Sequence, residues 1–226
     1  MISDTAMNDT LPRLLRSNAT KYGAGKVALR EKEFGVWQPY SWQDYYEHVR
    51  YFTLGLVSLG LAKGDTLSII GDNRPEWLFS ELAAQSAGAI GIGIYQDAIL
   101  KEISYIINLA ESKFIVAEDQ EQVDKILDMG DDLITLKHIV FTDPLGMRKY
   151  DDPRLISFPA VETLGREYEQ AHPGAYESLV DATEAEDPAH ICITSGTTGN
   201  PKLAVLSHRN MLSMACLLYT SPSPRD

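Results

Sequence analysis

The chain has 226 residues, 44% hydrophobic and 23% charged, with 16 glycines and 11 prolines scattered rather than clustered. That length holds one large domain or one plus part of another, and the composition excludes collagen-like, coiled-coil and wholly disordered chains. A net charge of −12 argues against nucleic acid or anionic lipid as a partner of the general surface, so any phosphate the chain binds needs a local device. Two cysteines, Cys192 and Cys216, both within apolar runs, cannot form a disulfide framework, which suits a reducing cytoplasm. The N-terminus lacks a basic stretch followed by an apolar one, and no run approaches the ~20 apolar residues of a membrane span. The expectation is a soluble, unexported, cytoplasmic protein.

In chain order, Thr10 is placed to cap a first helix over residues 11–20, with Pro12 in its first turn, where backbone N–H groups lack partners anyway. Val27–Arg30 and Val36–Gln38 flank Phe34-Gly35 and read as a small hairpin. Ser41 caps the next helix with Asp44 three residues on, and Tyr45, Val49, Phe52, Leu56 and Leu59 form one apolar stripe ending at Gly60.

From Thr66 a rhythm sets in. Short apolar runs start at Thr66, Ala89, Lys113 and Lys137, at intervals of 23, 24 and 24 residues. Helical patterns fill the gaps: Pro75–Ala87 behind Asp72-Asn73 caps, a stripe of Ile99, Ile103, Ile106 and Ala110, and another of Val123, Ile126 and Leu127. Doubly buried strands separated by one helix each indicate right-handed crossovers and a mostly parallel sheet flanked by helices, an α/β fold. Residues 142–188, punctuated by five prolines, lose the rhythm and read as an irregular connector with one or two short helices. The carboxylates Asp181, Glu184, Glu186 and Asp187 near its end read as solvated surface in preference to a metal site. The organisation expected is an α/β subdomain over 1–141, the connector over 142–188, and a continuing sheet over 189–219.

Ile191–Ile193 and Leu203–Leu206 read as strands around Thr194-Ser195-Gly196-Thr197-Thr198-Gly199-Asn200-Pro201-Lys202. Two glycines let the backbone approach a ligand, the hydroxyls donate hydrogen bonds, and Lys202 adds a mobile cation, which together suit a polyphosphate. The spacing is not a Walker loop, because Lys202 follows Gly199 by three with Pro201 between, and a strand rather than a helix comes next.

The run TSGTTGNPK at 194–202 resembles the phosphate loop of the adenylate-forming acyl-CoA synthetase family. GDNRPEWL at 71–78, GIYQD at 93–97 and AEDQEQVDK at 117–125 are similar to its long-chain fatty acid branch. The likeness runs from Leu11 to Ser213, and one departure is Leu203 where the family commonly has glycine after the lysine. The resemblance implies the N-terminal part of an ATP-dependent ligase that joins a fatty acid to AMP, expels pyrophosphate, and transfers the acyl group to coenzyme A. On that footing Thr194, Ser195, Thr197, Thr198 and the backbone of Gly196 and Gly199 hold ATP phosphates. Lys202 is the catalytic cation, Mg²⁺ bridges the phosphates without a protein ligand in this chain, and fatty acid, ATP and CoA are the partners. Membrane contact is expected to be peripheral at most.

Other motifs have plainer readings. GDNRPEWL serves as strand end, cap and helix start; GIGIY provides close packing, not a dinucleotide loop; His208 sits on the surface at a helix start. Family members are more than twice as long, so the downstream acidic residue, ribose-binding aspartate, hinge and mobile C-terminal domain are expected to lie outside this chain. Alone it should be inactive, with an open sheet edge and exposed apolar surface. Residues 220–226 read as a non-native tail. The competing readings are a ligase for an aryl or other acid, a non-catalytic nucleotide-binding module, and an ADP-releasing kinase or NTPase.

Overall fold

The computed structural model describes residues 9–195 and 201–220. Helix α1 (Leu11–Tyr22) is capped by Thr10, whose hydroxyl accepts the Arg13 N–H at 3.4 Å. Strands β1 (Val27–Glu33) and β2 (Val36–Ser41) form a separate antiparallel hairpin. Helix α2 (Trp42–Ser58) starts in a full capping box. The Asp44 N–H donates to the Ser41 hydroxyl at 3.1 Å, and the Ser41 N–H donates to the Asp44 carboxylate at 2.8 Å.

The expected alternation follows: β3 (Thr66–Ile70), α3 (Pro75–Ser86), β4 (Ile90–Ile94), α4 (Leu100–Leu109), β5 (Phe114–Ala117), α5 (Gln120–Met129) and β6 (His138–Phe141). Then come β7 (Leu155–Ser157), α6 (Phe158–Ala171), α7 (Ala175–Asp181), β8 (Pro188–Thr194), β9 (Lys202–Ser207) and α8 (His208–Thr220). The main sheet has the order β7-β6-β5-β3-β4-β8-β9, and every neighbouring pair is parallel except β8–β9. This is the mostly parallel α/β sheet read from the sequence.

Alternation along the strands divides the core in two. Leu67, Ile69, Phe114, Val116 and Val140 pack with α1, α2, α3, α6 and α7. Ile70, Ile92, Ile94, Ile115, Ala117 and Ile139 pack with α4 and α5 on the other face. Both faces are covered, which is why these strands read as continuous apolar runs and not as alternating ones.

Residues 142–188 are more regular than expected. Strand β7 extends the sheet beside β6, and the 14-residue α6 lies along α2. Val161, Tyr176 and Val180 are wholly buried. The crossing is tight at two glycines. A Cβ on Gly165 would stand 1.8 Å from the Tyr51 carbonyl oxygen, and one on Gly55 would stand 2.0 Å from that of Val161. Glycine costs a helix interior ~1 kcal/mol relative to alanine, and here it lets two helix backbones touch. Prolines masked this order in the sequence, although Pro159 occupies the first turn of α6, where proline is accommodated.

Candidate phosphate-loop site

Strand β8 joins the sheet parallel to β4, pairing His190 with Gly91 and Ile191 with Ile92. It therefore delivers residue 195 to the carboxyl edge of the sheet, where open α/β sheets bind ligands. The β8–β9 ladder runs through Cys192–Ala204 and Ile193–Leu203 to Thr194–Lys202. The Thr194 hydroxyl donates to the Lys202 carbonyl at 3.3 Å, which closes the mouth of the loop. Thr194, Ser195 and Lys202 are all exposed there. Gly196, Thr197, Thr198 and Gly199, the rest of the expected phosphate cradle, lie outside the described residues. The structure thus brings together both ends of the loop, Thr194 being paired directly with Lys202.

In an order in which the chain runs from β3 to β4 on one side and then crosses back over β3 to β5 on the other, the customary ligand crevice opens between the carboxyl ends of β3 and β5. Here the chain fills it. Glu118, just past β5, accepts the Asp72 N–H and the Arg74 Nε–H, each at 2.5 Å. Arg74 also reaches Glu31 at 3.1 Å, which ties the hairpin to the sheet. A Cβ on Gly71 would stand 2.5 Å from the Glu118 Cβ. The space left is about 10 Å³, room for about one water and no nucleotide.

GDNRPEWL and GIYQD, far apart in sequence, meet beside β8. Gln96 donates to the Asp72 carboxylate at 2.8 Å, and the Trp77 ring lies where a Gly93 Cβ would be, 2.4 Å from its nearest carbon. Glycine at 91 and 93 clears the α3 side of β4 for Glu81 and Trp77, so close packing accounts for GIGIY. The two motifs and His190–Ile193 line a groove of about 450 Å³. The sequence did not disclose this groove; two glycines at strand spacing on one face were its signal. Asp72 and Asn73 do not cap α3 as expected. Arg74 occupies the cap position without a side-chain capping bond to the helix, and Pro75 opens the helix.

His208 requires correction. It begins α8, as read, but is 1% exposed. Its Nδ1 accepts the Leu11 N–H at 3.4 Å, an end-of-helix donor of α1 with no partner within its own helix. The neighbouring backbone is pinned too, His208 N–H donating to the Asp187 carbonyl at 3.3 Å and Arg209 N–H to that of Ala185 at 2.9 Å. Burial pushes the imidazole pKa down to about 4, against the opposing pull of Asp187 and Asp9 and with help from Arg13. The ring is neutral, and it anchors the element that follows the loop's returning strand. Three of the four carboxylates near residue 184 have basic partners: Asp181 with Arg16 at 2.6 Å, Asp187 with Lys63 at 2.7 Å, and Glu186 with Arg209. Asp187 also accepts the Glu184 N–H at 2.9 Å.

A family model described as AMP-binding enzyme matches residues 15–225. The chain belongs to that family. Among similar AMP-binding enzymes are the long-chain-fatty-acid–CoA ligase ACSBG2 of Xenopus laevis, 31% identical over 89% of this chain and 26% of its own, and ACSBG1 of Rattus norvegicus, 31% identical over 92% and 28%. Fatty acyl-CoA synthetase A of Dictyostelium discoideum is 33% identical over 81% of this chain and 27% of its own. The chain therefore spans about a quarter to three-tenths of the length of these curated relatives. The luciferase-like enzyme of the mealworm Zophobas morio superposes with a TM-score of 0.76 at 16% identity, covering 94% of this chain and 46% of its own. The anthranilate CoA ligase AuaEII, solved with anthranoyl-AMP, superposes at 0.70 and 19% identity, covering 92% and 36%. At such identities the superpositions speak for the fold alone. The chain shares the α/β architecture of these solved structures.

Proposed function

We propose that the chain forms the N-terminal part of an ATP-dependent long-chain fatty acid–CoA ligase, acting in a protein of its relatives' length. One observation carries the reading. The TSGTTGNPK loop is held at both ends by a β-hairpin on the carboxyl edge of the sheet, with Thr194, Ser195 and Lys202 exposed there.

In the first half-reaction a fatty acid carboxylate oxygen attacks the α-phosphorus of ATP, and the bond to pyrophosphate breaks. The departing group gathers negative charge on its bridging oxygen. Donors fixed in place before reaction stabilise such charge without reorganising. Lys202 and the Ser195 hydroxyl supply them, while the Thr194 hydroxyl, donating to the Lys202 carbonyl, and the hairpin ladder fix the backbone that carries them. In the second half-reaction the CoA thiolate attacks the acyl carbon, the bond to AMP breaks, and pyrophosphate has already left. Lys202 has no further charge to offset. Mg²⁺ prefers oxygen ligands and keeps several waters. The named residues offer hydroxyls and no carboxylate, so the ion would be held chiefly by the phosphates, screening their charge.

The acid is assigned as long-chain from the relatives at 31–32% identity, while the aryl acid of AuaEII belongs to a protein similar in fold at 19%. Two cysteines and an acidic composition fit a cytoplasmic setting. In the full-length ligase, Lys202→Ala should slow acid-dependent pyrophosphate exchange by ~10²–10³-fold while leaving thioester formation from supplied acyl-adenylate within a few-fold. Equal slowing of both half-reactions would refute the role. Release of ADP instead of AMP would refute the reaction class.

A further inference from the structure

The β1–β2 hairpin stands outside the main sheet and displays what a soluble protein ordinarily hides. Its loop is two residues long, since Glu33 pairs with Val36, and both Phe34 and Gly35 have positive φ, 47° and 83°. This left-handed pair belongs to the tight type I′ turn, which favours Asn-Gly. Phenylalanine pays a conformational penalty at such a position, and this one recovers nothing by packing, because it is 98% exposed. Trp37 and Val36 are each 60% exposed.

Register sorts the hairpin's charges. Directly paired residues share a face. Leu29 and Tyr40 pair, and both pack on the core. The next pairs outward, Arg30 with Pro39 and Lys32 with Trp37, therefore share the opposite face, and the Lys32 ammonium lies 6.0 Å from the centre of the Trp37 ring. At the base of the hairpin Lys26 and Lys21 stand over the Tyr22 ring, 4.3 and 5.0 Å from its centre. The carboxylates gather on the other side. Glu31 is paired with Arg74, and Glu31, Glu33, Glu76 and Asp143 line the groove beneath. In a chain of net charge −12, cations interleaved with exposed aromatics on one face form a local departure from the general field.

We propose that this face docks on a bilayer surface containing anionic lipid, with Phe34 and Trp37 entering the boundary between headgroups and acyl chains and Arg30, Lys32 and Lys26 meeting lipid phosphates and carboxylates. Aromatic residues with flanking cations suit that boundary, where the ring finds apolar matter and the charge stays hydrated. Lys32 and Phe34 also border the groove that holds the carboxylates, so that groove adjoins the docking face. The assignment rests on the hairpin alone and stands apart from the reaction proposed above.

The test is co-sedimentation of the chain with phosphatidylcholine vesicles containing about a third phosphatidylserine, and with phosphatidylcholine vesicles alone. The wild-type chain should bind the anionic vesicles, less so at high salt, and bind the neutral ones at least tenfold more weakly, by roughly one unit of attraction per cation. Phe34→Asn should lower binding about tenfold, the scale of losing one buried phenylalanine. It installs the pair the turn prefers, so its melting temperature should hold or rise, separating lost docking from lost folding. The double variant R30Q/K32Q should weaken binding to anionic vesicles alone. Wild-type chain that binds neither vesicle, equal binding of both vesicles, or undiminished binding by Phe34→Asn would overturn the proposal. So would self-association in ultracentrifugation that Phe34→Asn abolishes without any vesicle binding, which would give the face to a second copy.

Discussion

Neutral His208 ties the pH dependence of folding to the anchor behind the β8–β9 hairpin. In the unfolded chain the ring has its ordinary pKa of 6.5, while in the folded protein burial holds it near 4. Above pH 7 both states are neutral and the residue contributes its full packing. As pH falls below 6.5 the unfolded state takes up a proton that the folded state refuses, so stability declines, and the decline levels off below pH 4. The whole shift corresponds to about 3 kcal/mol, at ~1.4 kcal/mol per pKa unit, and about 2 kcal/mol of it is lost by pH 5. His208→Gln keeps an acceptor for the Leu11 N–H and does not titrate. Urea unfolding of both proteins from pH 8 to pH 4.5 separates the effect from carboxylates common to both. The wild type should lose stability faster than the variant, so that any advantage it holds at neutral pH shrinks by about 2 kcal/mol at pH 5. Parallel stability curves would refute the argument, because they would mean that the ring is protonated as readily inside the protein as outside it.

Two further outcomes follow from the packing. Gly165→Ala drives a methyl group into the Tyr51 carbonyl, from a Cβ position 1.8 Å away. It should cost at least ~2–3 kcal/mol in chemical denaturation despite alanine's better helix propensity, and a stabilised variant would contradict the close crossing. Glu118→Ala removes the acceptor of the Asp72 N–H and one of two carboxylates on Arg74. A loss of ~1–3 kcal/mol is expected; unchanged stability would mean that the plug between β3 and β5 is not structural.

Much of this molecule could be read from its residues, and the exceptions share a physical cause. The capping box at Ser41, the cap at Thr10 and the strand rhythm from Thr66 are local patterns, and the structure has them. The strands on either side of the loop at 194–202 were legible too, Ile191–Ile193 and Leu203–Leu206 falling within β8 and β9. What escaped depends on partners far along the chain. His208 looked exposed between Ser207 and Arg209, yet α1, nearly 200 residues earlier, covers it. The order within 142–188 was hidden by prolines, and its meaning lies in α2, more than 100 residues upstream. Asp72 and Asn73 had the right types to cap α3, but Asp72 is drawn instead to Glu118 and Gln96, so tertiary bonds override the local preference.

The crossing of Gly55 with Gly165 sets a schedule for biosynthesis. The two glycines are 110 residues apart, and at ~5–20 residues per second the ribosome needs roughly 5–20 s to deliver the second after the first. Throughout that interval the nascent chain carries α2 with the α6 side of its apolar stripe uncovered, long after its own backbone bonds are able to form. The helix layer on that face of the sheet must therefore be finished late, and a chaperone that grips α2 as it leaves the exit tunnel would be shielding a surface whose mate has not yet been translated.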